Sequence, residues 1–173
     1  MKNIVLIGMS GAGKTTVGME LSRILNREFF DTDYLIEKEE NLSIEDIFST
    51  YGESCFRKLE CTIIDKLSQY EDVIISTGGG IVVDNKNISN LKEKGIIVLL
   101  ESSVDNIVNN LKNSQIKRPL LGSGEDIFAK VNSMYNSRKD IYIAASDFTI
   151  LVDNKSIEEI IYEILERCVK INS

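Results

Sequence analysis

Apolar positions along this chain fall into two patterns. The first is the short unbroken run. Asn3–Ile7 is apolar after its first residue and stops at Gly8, as a strand buried on both faces would. Similar runs at 28–31, 72–76, 96–100 and 148–152 predict four more strands. The second pattern has a period of three to four. Val17, Leu21, Ile24 and Leu25 share one helical face, as do Val104, Ile107, Val108 and Leu111. Residues 43–50 and 54–69 predict two helices parted by Tyr51-Gly52, 126–144 another, and 156–169 a closing helix with Ile157, Ile160, Ile161 and Ile164 turned inward. Residues 113–125 have no period and hold the only proline, Pro119, and two glycines, so a mobile loop is expected there. Continuous apolar strands alternating with helices imply an α/β fold, a parallel sheet covered on both faces, in which ligands sit beyond the carboxyl ends of the strands.

Composition narrows the function. The 173 residues suit a single domain with a hydrophobic core. No apolar run approaches the ~18–20 residues of a membrane span, and Met1-Lys2-Asn3 leads straight into a strand with no leader-like segment. A cytoplasmic protein is therefore expected, and a monomer is the simplest state. The three cysteines, Cys55, Cys61 and Cys168, are odd in number and lack metal-type spacing, which predicts reduced thiols. Histidine is absent, excluding Ser-His and Cys-His nucleophile systems and His-ligated metals. A net charge of −7 disfavours nucleic acid and anionic membranes as partners, and an anionic substrate would need positive charge concentrated locally.

Gly8-Met9-Ser10-Gly11-Ala12-Gly13-Lys14-Thr15 matches G-x-x-x-x-G-K-[ST] between a buried strand and an amphipathic helix. Such a loop turns the backbone N–H groups of Gly11, Ala12 and Gly13, and of Thr16 at the helix start, toward phosphate. Lys14 reaches the β/γ-phosphates and the Thr15 hydroxyl a magnesium ion. Nucleotide binding follows, with ATP and Mg²⁺ as the implied co-substrate and cofactor. Asp31-Thr32-Asp33 ends the second predicted strand, and residues two apart in extended chain point to one side. Both carboxylates then face the cleft, Asp31 near the metal and Asp33 near an acceptor hydroxyl that it orients or deprotonates. Taken alone, the triplet is also an ordinary turn or helix cap. The third strand ends Ser76-Thr77-Gly78 rather than in an aspartate, leaving Asp31 as the metal-side carboxylate.

Lysines outnumber arginines 14 to 6, so arginines off the solvated faces stand out. Arg23, Arg27 and Arg167 fit ordinary exposed faces. Arg138 lies on the stripe marked by Ile127, Val131, Met134 and Tyr142, where a guanidinium needs an anion: a ligand carboxylate or a structural carboxylate. Arg57 shares a face with Cys61 and Ile64, and Glu60 three residues on offers a helix-surface pair as the alternative to a ligand. Arg118, with Lys117 beside it, is either a lid arginine over the transferring phosphate or a solvated loop charge. Gly78-Gly79-Gly80 lets backbone approach a ligand closely, or is a flexible turn.

Together the phosphate loop, Asp31-Thr32-Asp33, Gly52-Glu53-Ser54-Cys55-Phe56-Arg57 with Glu60, the glycine triplet, Arg118-Pro119-Leu120-Leu121, and Arg138 with Tyr142 resemble the shikimate kinase family in order and spacing from Ile4 to about Asp153. The resemblance implies a three-layer α/β/α P-loop fold of nucleoside-monophosphate-kinase type with strand order 2-3-1-4-5. It implies a substrate-binding segment at about 33–61, a lid at about 112–125, and transfer of the ATP γ-phosphate to the 3-hydroxyl of shikimate on the route to chorismate. Carried over, Asp33 is the base, with Lys14 and Arg118 catalytic. Asp33, Arg57, Arg138 and the Gly79-Gly80 backbone hold the substrate. Arg118 contacts ATP from the lid, and Thr15 serves Mg²⁺ with Asp31, through water. The chain departs from the family pattern at Asp140, where proline is common, and in a lysine-rich lid with Lys112 near an upstream arginine position. That leaves the Asn154-Lys155 turn as the candidate adenine contact. Rivals are a gluconate-type or nucleoside monophosphate kinase on the same scaffold and, from another class, a non-catalytic nucleotide switch.

Overall fold

A computed structural model describes residues 1–114 and 126–172. The chain runs β1 (Asn3–Ile7), α1 (Lys14–Leu25), β2 (Phe29–Asp31), α2 (Thr32–Glu40), α3 (Ile44–Leu67), β3 (Ile74–Ser76), a short 3-10 turn (Ile81–Val83), α4 (Asn85–Lys94), β4 (Gly95–Glu101), α5 (Val104–Asn113), α6 (Ile127–Ala145), β5 (Phe148–Leu151) and α7 (Ile157–Asn172). The five strands form one parallel sheet in the order β2-β3-β1-β4-β5. β1 lies at its centre, with Leu6 opposite Ser76 on one side and Val98 on the other.

Alternation along the central strands divides the interior into two cores. Val5, Ile7, Ile75, Ile97 and Leu99 face α3, α4, α5 and α6, packing on Ile64, Leu91, Ile107, Val131 and Tyr142. Ile4, Leu6, Ile74, Ile96, Val98 and Ile150 face α1 and α7, packing on Val17, Leu21, Ile160, Ile161 and Ile164. Apolar burial on both faces fixes strand register, because a one-residue slip would exchange the two cores.

Several expectations need correction. Two helices carried no legible period: α2, which starts one residue after β2, and α4, whose sequence is polar apart from Ile88 and Leu91. Asp33 consequently lies in the first turn of α2, and the extended-chain reading that aligned it with Asp31 is wrong. Ile24 and Ile157 sit at the exposed edges of their helices. Arg27 is not on a solvated face: its side chain is 8% exposed and Nε lies 2.9 Å from Asp72. The break at Tyr51-Gly52 is present inside α3, where Gly52 has φ 81° and ψ 172°. All three cysteines are free thiols. No helix among the described residues is long and apolar enough to cross a membrane. Of the 112–125 segment, Lys112 and Asn113 close α5, while Lys117, Arg118, Pro119, Leu120 and Leu121 lie outside the described residues.

Candidate active site

β1 delivers the chain to its carboxyl end at Ile7, and residues 8–13 turn back into α1. Gly13, the N-cap of α1, has φ 90°, a conformation that L side chains rarely adopt, so a glycine is required there. Gly8 is required for space, since a Cβ would come within 2.5 Å of the Leu100 carbonyl. The buried Lys14 Nζ donates to the carbonyls of Gly8 and Met9, each at 2.8 Å, which ties the ammonium across the loop it closes. A cleft of about 540 Å³ opens over this loop. Ser10, Gly11, Ala12, Gly13, Lys14, Thr15 and Thr16 line its floor, and Asp31, Asp33 and Gly79 one end. Asn106, Asn110 and the Asn154-Lys155 turn line the other side, so the proposed adenine turn shares the cleft with the phosphate loop.

Asp31 links two parts of the site. Its Oδ1 accepts from the backbone N–H groups of Asp33 at 3.1 Å and Tyr34 at 3.3 Å, capping α2. Its Oδ2 accepts from the Thr15 hydroxyl at 2.8 Å. Asp31 thus caps α2 and also lines the cleft. Between the two aspartates, Thr32 is fully buried and its hydroxyl accepts from Gly78 N–H at 2.9 Å. The start of α2 is thereby bonded to the glycine segment after β3.

That segment is where the remaining candidates meet. A Cβ on Gly78 would lie 2.5 Å from Asp33 Oδ1 and 3.0 Å from Glu60 Oε1. The Gly79 carbonyl accepts from the Tyr142 hydroxyl and from Arg138 Nη1 at 3.3 Å, and a Cβ on Gly79 would be 3.0 Å from Ser10 N. A Cβ on Gly80 would overlap the Arg57 guanidinium. Only glycine lets these groups close around the segment. Asp33, Arg57, Arg138, Gly79 and Gly80, spread over about a hundred residues of the chain, therefore form one constellation beside the phosphate loop.

Charge within the constellation is not distributed as the sequence suggested. Glu60 is 1% exposed and Arg57 partly buried, so their pair is not the helix-surface pair offered as the alternative to a ligand. Arg57 Nη1 donates to Glu60, while Nε at 3.3 Å and Nη2 at 3.0 Å donate to Glu53. The guanidinium also lies 5.4 Å from the centre of the Phe56 ring. Burial disfavours its charge, but Glu60 and Glu53 outweigh that and hold its pKa above the ordinary value. Burial, helped by the nearby Asp33, pushes the Glu60 carboxyl up to about 7 against the pull of Arg57. Burial likewise lifts the Tyr142 hydroxyl to about 12, although Arg138 works the other way. Sequence reasoning missed Glu53, Thr32, Asn106 and Asn110 as site residues. Glu53 and Glu60 carried a signal, falling four before and three after Arg57 on one helix face. Among the described residues no group of three or more His, Cys, Asp or Glu side chains is gathered for a metal.

The strand order and the phosphate loop at the end of β1 define a P-loop kinase of the nucleoside-monophosphate-kinase type. A profile of the Shikimate kinase family matches residues 10–169. A shikimate kinase of Caldanaerobacter subterraneus subsp. tengcongensis is 40% identical over 99% of this chain and 98% of its own length. One from Clostridium botulinum (strain 657 / Type Ba4) is 43% identical over 93% of both. The structure of shikimate kinase from Acinetobacter baumannii in complex with shikimate superposes with a TM-score of 0.90 at 32% identity, covering 98% of this chain and 94% of that one. The chain belongs to the shikimate kinase family.

Proposed function

We propose that this chain transfers the γ-phosphoryl group of ATP to the 3-hydroxyl of shikimate, giving shikimate 3-phosphate and ADP, in the cytoplasm on the route to chorismate. The observation that carries this reading is the gathering of Asp33, Arg57 and Arg138 around residues 78–80, directly beside the phosphate loop. A pure nucleotide switch has no need of that second constellation.

The backbone N–H groups of residues 11–16 cradle the β- and γ-phosphates, and Lys14 exchanges its carbonyl partners for phosphate oxygens. Arg138 and Arg57 take the substrate carboxylate, whose planar pair of oxygens matches a guanidinium fork. The N–H groups of Gly79 and Gly80 and the Asp33 carboxylate orient the ring hydroxyls. Asp33 accepts the proton of the 3-hydroxyl as its oxygen forms the bond to the γ-phosphorus, and the bond from phosphorus to the ADP oxygen breaks. Arg118 contributes positive charge to the transferring group. Thr15 Oγ1 and Asp31 Oδ2, 2.8 Å apart, are hard oxygen donors of the kind that bind Mg²⁺ with phosphates and water completing its shell. Mg²⁺ held there would neutralise phosphate charge.

ADP release, measured with Mg-ATP and shikimate, gluconate or a nucleoside monophosphate offered singly, tests the reading. Release driven by shikimate alone is expected. Release preferring gluconate or a nucleotide would reassign the acceptor, and turnover indifferent to every acceptor would contradict a kinase.

A further inference from the structure

The acid half of the site contains more negative charge than its role suggests. Arg57 and Arg138 face three carboxylates, those of Asp33, Glu53 and Glu60. Three of the five Arg57 N–H groups are engaged, one from Nη1 on Glu60 and those of Nε and Nη2 on a single oxygen of Glu53. A carboxylate that takes the Nε–Nη2 edge must therefore replace Glu53.

The two partners differ in how firmly they are held. Glu60 is buried and wedged against Gly78 and Asp33, and removing it from Arg57 would leave a buried carboxylate without its counter-charge. Glu53 is 51% exposed and follows directly on Gly52, where α3 breaks its helical geometry. Its pair with Arg57 is an exposed i,i+4 contact, and its carboxylate has water to return to. Glu53 also takes the edge of the fork, Nε with Nη2, that suits a ligand carboxylate.

We infer that Glu53 is an internal carboxylate that occupies the outer edge of Arg57 in the empty site and gives way to the substrate's acid group. It acts as a stand-in, keeping the guanidinium aimed and neutralised until the ligand arrives, and it lowers the affinity for the acid by competing with it. The inference rests on the proposed acid-binding role of Arg57.

Calorimetric titration of Glu53→Gln with shikimate tests it. The dissociation constant is expected to fall about two- to fivefold, the yield of removing an exposed ion pair, while ATP affinity stays unchanged. The gain should be confined to the free acid and absent for its uncharged methyl ester. Glu53→Ala, which removes the side-chain acceptor altogether, should shift binding in the same direction. Weaker or unchanged acid binding would mean that Glu53 orients Arg57 and does not compete, and an equal gain for the ester would mean a general loosening of the segment. Either result overturns the inference alone. Arg57→Ala separates it from its premise: acid binding that survives this substitution would overturn the role of Arg57 and the inference together.

Discussion

The two halves of the site are built by opposite means. The nucleotide half is one contiguous stretch, residues 8–16, whose donors are mostly backbone N–H groups set by glycine geometry and by a helix start. The half proposed to hold the acid is assembled from side chains on α2, α3 and α6 around residues 78–80, and most of these are carboxylates and guanidiniums. A backbone cradle keeps its charge distribution at any ordinary pH. A cluster of buried, mutually paired ions does not: at Glu60 burial outweighs the pairing with Arg57 and raises the carboxyl to about 7, inside the ordinary pH range. The halves meet at few places, notably the Thr15–Asp31 hydrogen bond and the approach of Gly79 to Ser10. Perturbing one half should therefore leave binding at the other largely intact.

The largest separation is expected at Asp33. Asp33→Asn keeps the shape but loses the proton acceptor, so turnover should fall about 10²–10⁴-fold while ATP affinity changes little. Steady-state kinetics with a direct nucleotide titration checks this, and near-normal turnover would remove Asp33 as the base. Next comes Gly80→Ala, whose Cβ would collide with the Arg57 guanidinium. Gly80 has φ −100°, so backbone strain does not enter, and the cost falls on the position of Arg57. Affinity for shikimate should drop about 10–100-fold with little loss of thermal stability. Loss of ATP binding as well would show the halves to be coupled.

The smallest effect is a pH signature. The Glu60 carboxyl is raised in the fold, from an ordinary 4.5 to about 7. Its contribution to stability is then fully present below about pH 4.5 and is lost as pH rises through about 7. Relative to Glu60→Gln, the native chain should lose roughly 1–3 kcal/mol across that window, measured by denaturant unfolding at each pH. A pH-independent difference between the two would show that Glu60 stays ionised throughout.

The nucleotide half was legible in sequence because its requirement is local: eight residues at fixed spacing after a buried strand. The sheet was legible for the same reason, since each strand is an apolar run whose burial does not depend on which neighbour covers it. α2 and α4 were not, because Asp31 caps α2 within one residue of β2, and α4 places only Ile88 and Leu91 on the core among polar residues. The acid half was legible only indirectly. Arg138 betrayed itself by standing on an apolar stripe, and Arg57 by its company of Cys61 and Ile64, but that both meet the glycine segment depends on how β3 and α6 are placed. The burial of Glu60 likewise follows from α3 packing against the glycine turn, which no spacing along the helix encodes.

Separate calorimetric titrations of Arg138→Ala with shikimate and with ATP test most directly whether a guanidinium pair holds the acid apart from the nucleotide. Binding of shikimate should weaken by at least about 30-fold, with ATP affinity unchanged and the fold intact. Undiminished shikimate binding, or equal loss of both ligands through unfolding, would contradict it and make Arg138 a structural residue that braces Gly79.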